Sequence, residues 1–171
     1  MIIIGIDTAI RKTGYGVIDM RTGGSIQILD CGLIRNAPSL PHSECLRRLA
    51  GGIRELVSTF KPEAAAIESA FVSRNVKTAM ILSLARGAVI TALAECSVPA
   101  FEYSPKSAKR AATGLGEADK CQVAAIMANL GGLDISQIPD DATDALALAY
   151  CHGNQVLRAA TAGLVKQPPP I

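Results

Sequence analysis

The residues in this chain best placed to do chemistry are acids that close apolar runs. Asp7 follows Ile2-Ile3-Ile4-Gly5-Ile6, Glu68 follows Ala64-Ala65-Ala66-Ile67, and Asp140, Asp141 and Asp144 follow Pro139. A carboxylate at the end of a buried run is costly unless something compensates its charge. Several carboxylates gathered together also repel one another and resist ionisation. A divalent cation answers both problems, and Mg²⁺ prefers oxygen ligands. Two such ions, about 4 Å apart, hold an attacking water and a leaving oxygen in line, which suits phosphodiester hydrolysis. One carboxylate of the set could help to deprotonate the water. Plainer readings exist for the last group: Asp140 as a helix N-cap, Asp141 as a first-turn acid near the positive end of the helix. Asp141 and Asp144, three apart, share one helix face. The residues themselves leave Asp140 and Asp141 tied.

The elements that must position these acids follow from local pattern. Ile2 to Asp7 reads as a buried strand, Gly14 to Ile18 as a second and Ser25 to Ile34 as a third. Thr22-Gly23-Gly24-Ser25 is a hairpin turn, because glycine accepts positive φ without strain. Ser43 is expected to cap a helix running to about Phe60, with Leu46, Leu49, Ile53, Leu56 and Val57 on its inner face. Lys61-Pro62 stops it, and Ala64 to Glu68 reads as a central fourth strand. Ser73 is expected to cap a long helix through about Glu95, on which Val76, Met80, Leu84, Gly87 or Ala88, and Thr91 recur at helical spacing. Val98 to Tyr103 is a short fifth strand. Pro105 to Ala112 forms one or two helical turns, and Glu117 to Leu130 a helix with Val123, Ile126, Met127 and Leu130 inward. Gly131-Gly132 ends that helix, and the last one runs from about Asp140 to Thr161. Three strands followed by alternating helices and strands predict an α/β fold. Its five-stranded mixed sheet is a β-meander extended by crossovers, with helices on both faces. Residues 1–162 are expected to form a single domain, with the proline-rich 163–171 as a disordered tail.

Composition narrows the class. The chain is 49% hydrophobic and 19% charged, which fits a globular domain and not a disordered one. A net charge of +2 neither demands nor excludes nucleic acid, since a local basic groove matters more than the sum. Cys31, Cys45, Cys96, Cys121 and Cys151 make an odd set with no Cys-x-x-Cys pair, so a reducing cytoplasm fits better than a disulfide framework. His42 with Cys45, or Cys151 with His152, lacks the spacing of a closed zinc site. The apolar start is too short for a signal peptide. The stretch Ala79 to Cys96, interrupted by Ser83, Arg86 and Thr91, is expected to be too short and too broken to cross a membrane.

Five segments in order resemble the RuvC family of bacterial Holliday-junction resolvases. They are Gly5-Ile6-Asp7 with Thr13-Gly14-Tyr15-Gly16-Val17-Ile18; Ala66-Ile67-Glu68-Ser69-Ala70-Phe71; Leu84-Ala85-Arg86-Gly87; Gly114-x-Gly116 with Lys120 and Gln122; and Asp141-Ala142-Thr143-Asp144-Ala145-Leu146-Ala147. Each alone is weak, but five in register over residues 2 to 152 are specific.

The resemblance implies a ribonuclease-H-like fold and a homodimer that cuts two strands of a four-way DNA junction symmetrically, leaving ligatable nicks. It implies Asp7, Glu68, Asp141 and Asp144 as catalytic metal ligands, and so chooses Asp141 over Asp140. It implies Mg²⁺, two ions per subunit with Mn²⁺ as a substitute, and Lys120 as a basic catalytic and DNA-binding position. Phe71 matches an aromatic that stacks on unpaired bases, an interaction worth about 1–3 kcal/mol per base. Lys109 matches a further basic position. Arg74, Lys77, Lys106 and Arg110, with Arg11 and Lys12, could line a phosphate groove and make binding salt-dependent. The helix from Ser73 to Glu95 resembles the family's dimer helix, whose small residues here are Ala79, Ser83, Gly87 and Ala88. RuvA and RuvB are implied partners. One departure is clear: the family usually carries Asp-Pro-Gly where this chain has Asp7-Thr8-Ala9. Competing readings are an RNA-processing nuclease of the YqgF type, a non-catalytic junction-binding scaffold, and an actin-like kinase, for which the chain is too short.

Overall fold

The computed structural model describes residues 1–69, 75–132, 134, 138–162 and 169–171. Its elements are β1 (Ile2–Asp7), β2 (Lys12–Met20), β3 (Ile26–Arg35), α1 (His42–Phe60), β4 (Ala64–Glu68), α2 (Val76–Glu95), β5 (Ala100–Tyr103), α3 (Pro105–Thr113), α4 (Lys120–Gly131) and α5 (Asp140–Ala162). Among the described residues the strands form one five-stranded sheet in the order β3-β2-β1-β4-β5. The β1–β2 and β2–β3 pairs are antiparallel, while β1–β4 and β4–β5 are parallel. This is the expected meander extended by crossovers. Gly23 and Gly24 turn the β2–β3 hairpin at φ of 98° and 87°, values that favour glycine.

Alternation along β1 splits the core. Ile4 and Ile6 point to one face and pack with Leu49, Ile53, Val89 and Leu93 of α1 and α2. Ile3 points to the other and packs with Ile18, Met127 and Leu146 under α4 and α5. Helices therefore cover both faces, as predicted. Parallel β1 and β4 end at the same side of the sheet, with Ile6 beside Ile67 in register. That register brings Asp7 and Glu68, one residue further on, to a common edge.

Several local expectations need correction. Ser43 does not cap α1: Pro41 holds that position without a side-chain hydrogen bond, and its carbonyl accepts from the Cys45 N–H. The inner face of α1 includes Cys45, and Leu46 and Leu56 are only partly buried. The expected cap Ser73 lies outside the described residues; the Asn75 side chain caps α2 by accepting from the Thr78 N–H. The periodic set Val76, Met80 and Leu84 faces solvent at 70%, 64% and 52% exposure. The buried stripe of α2 is instead Ala85, Val89, Ala92 and Leu93. Helix α4 starts later than expected, at an Asp119 capping box closed by Gln122, and Leu130 faces out while Ala128 faces in. The tail expectation falls largely on residues 163–168, outside the described set; of the rest, Ile171 donates its N–H to the Ala100 carbonyl.

The expectation that no stretch is long enough to cross a membrane also changes. Helix α2, at 20 residues, passes by length and composition. Its apolar character has another origin, because one stripe packs on the sheet and Arg86 in its middle bonds to the Glu68 carbonyl and to Glu102.

Candidate active site

Three elements deliver the acids. Asp7 ends β1, Glu68 ends β4, and Asp141 and Asp144 stand on one face of the first turns of α5. Helix α5 is held at that spot by close approach to the sheet. A Cβ on Gly14 would run into the Asp141 carbonyl, and one on Gly5 into the Ala145 carbonyl. Asp140 begins the same helix but is exposed, while Asp141 and Asp144 are half-buried. The geometry thus separates the two neighbours that the residues alone left tied.

A cleft of about 280 Å³ opens over Asp7, Glu68 and Asp144, walled by Pro105, Ala108 and Lys109 of α3, Lys120 and Val123 of α4, and Ala147 and Leu148 of α5. The Asp7 carboxyl is pushed up from 3.8 to about 7, first by burial and then by the charge and hydrogen bond of Glu68, with Asp144 and Asp141 adding repulsion. Two lysines neutralise the helix acids: Lys12 Nζ lies 2.8 Å from Asp141, and Lys120 Nζ donates to Asp144 at 2.8 Å. The Asp144 hydrogen bond holds the Lys120 ammonium above its usual range.

This donor set fits a divalent cation. It is all oxygen, it has an excess of negative charge, and one carboxyl is held so unfavourably that it retains a proton near neutrality. The fit is not preformed. With the side chains as they lie, no three metal-binding groups among the described residues are close enough to share an ion. Asp141 and Asp144 point at lysine ammonium groups, which neutralise them in this arrangement.

Loop and backbone contacts stiffen the site. The Thr13 hydroxyl accepts from the Ala9 N–H at 3.3 Å and donates to the Ala9 carbonyl, which fixes the Thr8-Ala9 turn after Asp7. Arg86 donates to the Glu68 carbonyl at 2.5 Å and pairs with Glu102, which fixes the end of β4. Burial holds the Arg86 guanidinium below its usual range, offset by Glu68.

The remaining basic candidates divide. Lys109 and Lys120 line the cleft. Lys77 is exposed in the first turn of α2. Lys106 is exposed and paired with Glu117 at 2.5 Å. Arg110 lines a separate groove of about 800 Å³ along β5 and α5, not the acidic cleft. Phe71 and Arg74 lie outside the described residues. Arg11 is not available to a phosphate groove as expected, because its guanidinium bonds the Ala37 and Leu40 carbonyls at 2.7 and 3.0 Å. Sequence reasoning missed the roles of Lys12 as partner of Asp141 and of Arg86 as anchor of Glu68. Both pairs join distant segments, so no local spacing signals them.

A family model for the crossover junction endodeoxyribonuclease RuvC matches residues 3–152. The chain belongs to the RuvC family. A relative from Chlorobaculum parvum, a crossover junction endodeoxyribonuclease RuvC, is 46% identical over 151 residues, covering 88% of this chain and 80% of its own. One from Pelotomaculum thermopropionicum is 37% identical over 154 residues, covering 90% and 93%. Among solved structures, Thermus thermophilus RuvC in complex with a Holliday junction substrate superposes with a TM-score of 0.87 at 31% identity, covering 100% of this chain and 99% of its own. The yeast mitochondrial resolvase Ydc2 shares the fold, with a TM-score of 0.67 at 14% identity over 95% and 82% of the two chains. The resemblance read from five short segments is thus the family of the whole domain, and its ribonuclease-H-like architecture is the one observed.

Proposed function

We propose that this protein resolves four-way DNA junctions by hydrolysing one phosphodiester bond in each of two opposed strands. The observation that carries the reading is the convergence of Asp7, Glu68 and Asp144 on one cleft at the end of the sheet, with Asp141 on the same face of α5. Family membership supplies the substrate class, since the relatives are crossover junction enzymes and the T. thermophilus member is seen with junction substrate.

Asp7, Glu68, Asp141 and Asp144 would hold two Mg²⁺ ions per subunit, with Mn²⁺ as a substitute. Such ions supply a polarised water and neutralise charge on the phosphate. The protein's own part is positional. Arg86 and Thr13 hold the strand ends still, while Lys109 and Lys120 on the cleft wall face the incoming phosphate backbone. Lys120, which pairs with Asp144 at 2.8 Å, would neutralise charge on the scissile phosphate. By the family resemblance, Arg74, Lys77, Lys106 and Arg110 would contribute DNA contacts and Phe71 would stack on an unpaired base. The apolar, solvent-facing side of α2 pairs with a second copy, so that two sites address opposed strands. RuvA and RuvB are the partners, and the cytoplasm the compartment, that this role implies.

The test is cleavage of a mobile four-way junction against plain duplex DNA and structured RNA, with and without Mg²⁺. Symmetric, Mg²⁺-dependent nicks in the junction alone are expected. Asp7→Asn is expected to abolish cutting while leaving junction binding nearly intact. Equal cutting of RNA, or normal cutting by Asp7→Asn, rejects the reading.

A further inference from the structure

The position after Asp7 is where this chain departs from the pattern it otherwise resembles, and the structure shows an unpartnered polar group there. Thr8 Oγ1 is buried and has no hydrogen-bond partner among the described residues. A buried hydroxyl without a partner is destabilising, and a valine of the same shape would avoid the cost. Thr13 holds the backbone of the next residue by both its N–H and its carbonyl.

Thr8 lines a cavity of about 130 Å³ together with Glu68, Ser69, Ser83 and Arg86. Two other donors around it are engaged: Ser83 Oγ bonds the Ala79 carbonyl at 2.9 Å, and Arg86 bonds Glu68 and Glu102. Glu68 lines both this cavity and the acidic cleft on its other side. One residue therefore connects the proposed cation site with an unspent hydroxyl donor. Carboxylates that ligate metals are commonly held by a second hydrogen bond from outside the site, which orients them and sharpens affinity.

We propose that the Thr8 hydroxyl is a positioning residue: it holds the Glu68 carboxylate, directly or through one water in the cavity, when that carboxylate carries a divalent cation. The usual proline at this position has no donor, so the contact belongs to this chain and does not come with the family pattern. The inference rests on the metal-site reading above, and binding by the unaltered protein tests that reading separately.

The experiment is Mn²⁺ binding to the full-length protein without DNA, followed by the Mn²⁺ EPR signal, alongside thermal melting in chelator. Thr8→Val is expected to weaken Mn²⁺ binding by about tenfold. Its melting temperature without metal should stay level or rise, because the hydroxyl it removes has no partner in that state. Thr8→Ser, which keeps the donor, should bind near the wild-type level. Wild-type Mn²⁺ affinity in Thr8→Val overturns the proposal. So does a joint loss of affinity and metal-free stability, which would mark Thr8 as structural. If the wild-type protein itself binds no Mn²⁺, the metal-site reading falls and the proposal with it.

Discussion

At the scale of single residues, protons and lysines compete for the carboxylate oxygens of the site, and the proposed cation would join that contest. The Asp7 carboxyl, raised to about 7, is neutral in the metal-free fold over a range where the unfolded chain is ionised. The native state then binds more protons than the unfolded state between the ordinary value of 3.8 and about 7. The stability contributed by this group is full below that window and is lost as pH rises through it. Two outcomes follow. In chelator, the melting temperature should fall as pH rises from 5 to 8 more steeply for the wild type than for Asp7→Asn, and Asp7→Asn should be the more stable of the two at pH 8. Metal affinity should run the other way, weakening as pH drops below about 7, since the proton and the ion compete. Calorimetric titration across that range checks the second outcome; a flat profile would mean that Asp7 is already ionised.

At the scale of elements, the placement of Asp141 and Asp144 depends on how tightly α5 sits on β1 and β2. Glycines at positions 5, 14 and 16 let the helix backbone come down onto the strands where any side chain would collide with Ala145, Asp141 or Leu146. Gly14→Ala should lift the first turn of α5, which carries Asp141 and Asp144. Overpacking of this kind costs about 1–3 kcal/mol. Urea denaturation should show a loss in that range, and junction cleavage should fall further than stability alone explains. Unchanged cleavage would show that the helix absorbs the methyl without moving its acids. These elements were largely legible. Ala64 to Glu68 is a strand against the helix preference of alanine, because a short run between Pro62 and a carboxylate has no room for a helix. Boundaries slipped where capping competes: Ser43 is a good cap by type, but the chain reaches α1 through Pro41, whose fixed φ already suits a helix entry.

At the scale of the whole molecule, α2 is the element that the monomer leaves unfinished. Val76, Met80 and Leu84 form an exposed apolar stripe on the side of the helix away from its buried stripe of Ala85, Val89, Ala92 and Leu93. A second copy related by a twofold axis would bury that stripe against itself. Leu84→Glu should leave a folded monomer, by light scattering with an unchanged circular dichroism spectrum. Paired nicking of junctions should fall while any residual cutting becomes one-sided. A dimer that survives Leu84→Glu would place the interface elsewhere.

The sequence by itself determined the strand-helix order, the two-faced sheet and the family, because these rest on local periodicity, turn chemistry and motifs that persist along the chain. It also marked the acids at the ends of β1 and β4 and at the start of α5, and the family resemblance chose Asp141 over Asp140. The tertiary structure supplies the physical reason for that choice. Helix phase and the close approach at Gly14 turn Asp141 toward the sheet edge and leave Asp140 in solvent. Only the tertiary structure set Lys12 on Asp141, Arg86 beneath Glu68, and the hydroxyl of Thr8 without a partner. Each is a meeting of side chains far apart in sequence, and such meetings are set by packing and not by spacing.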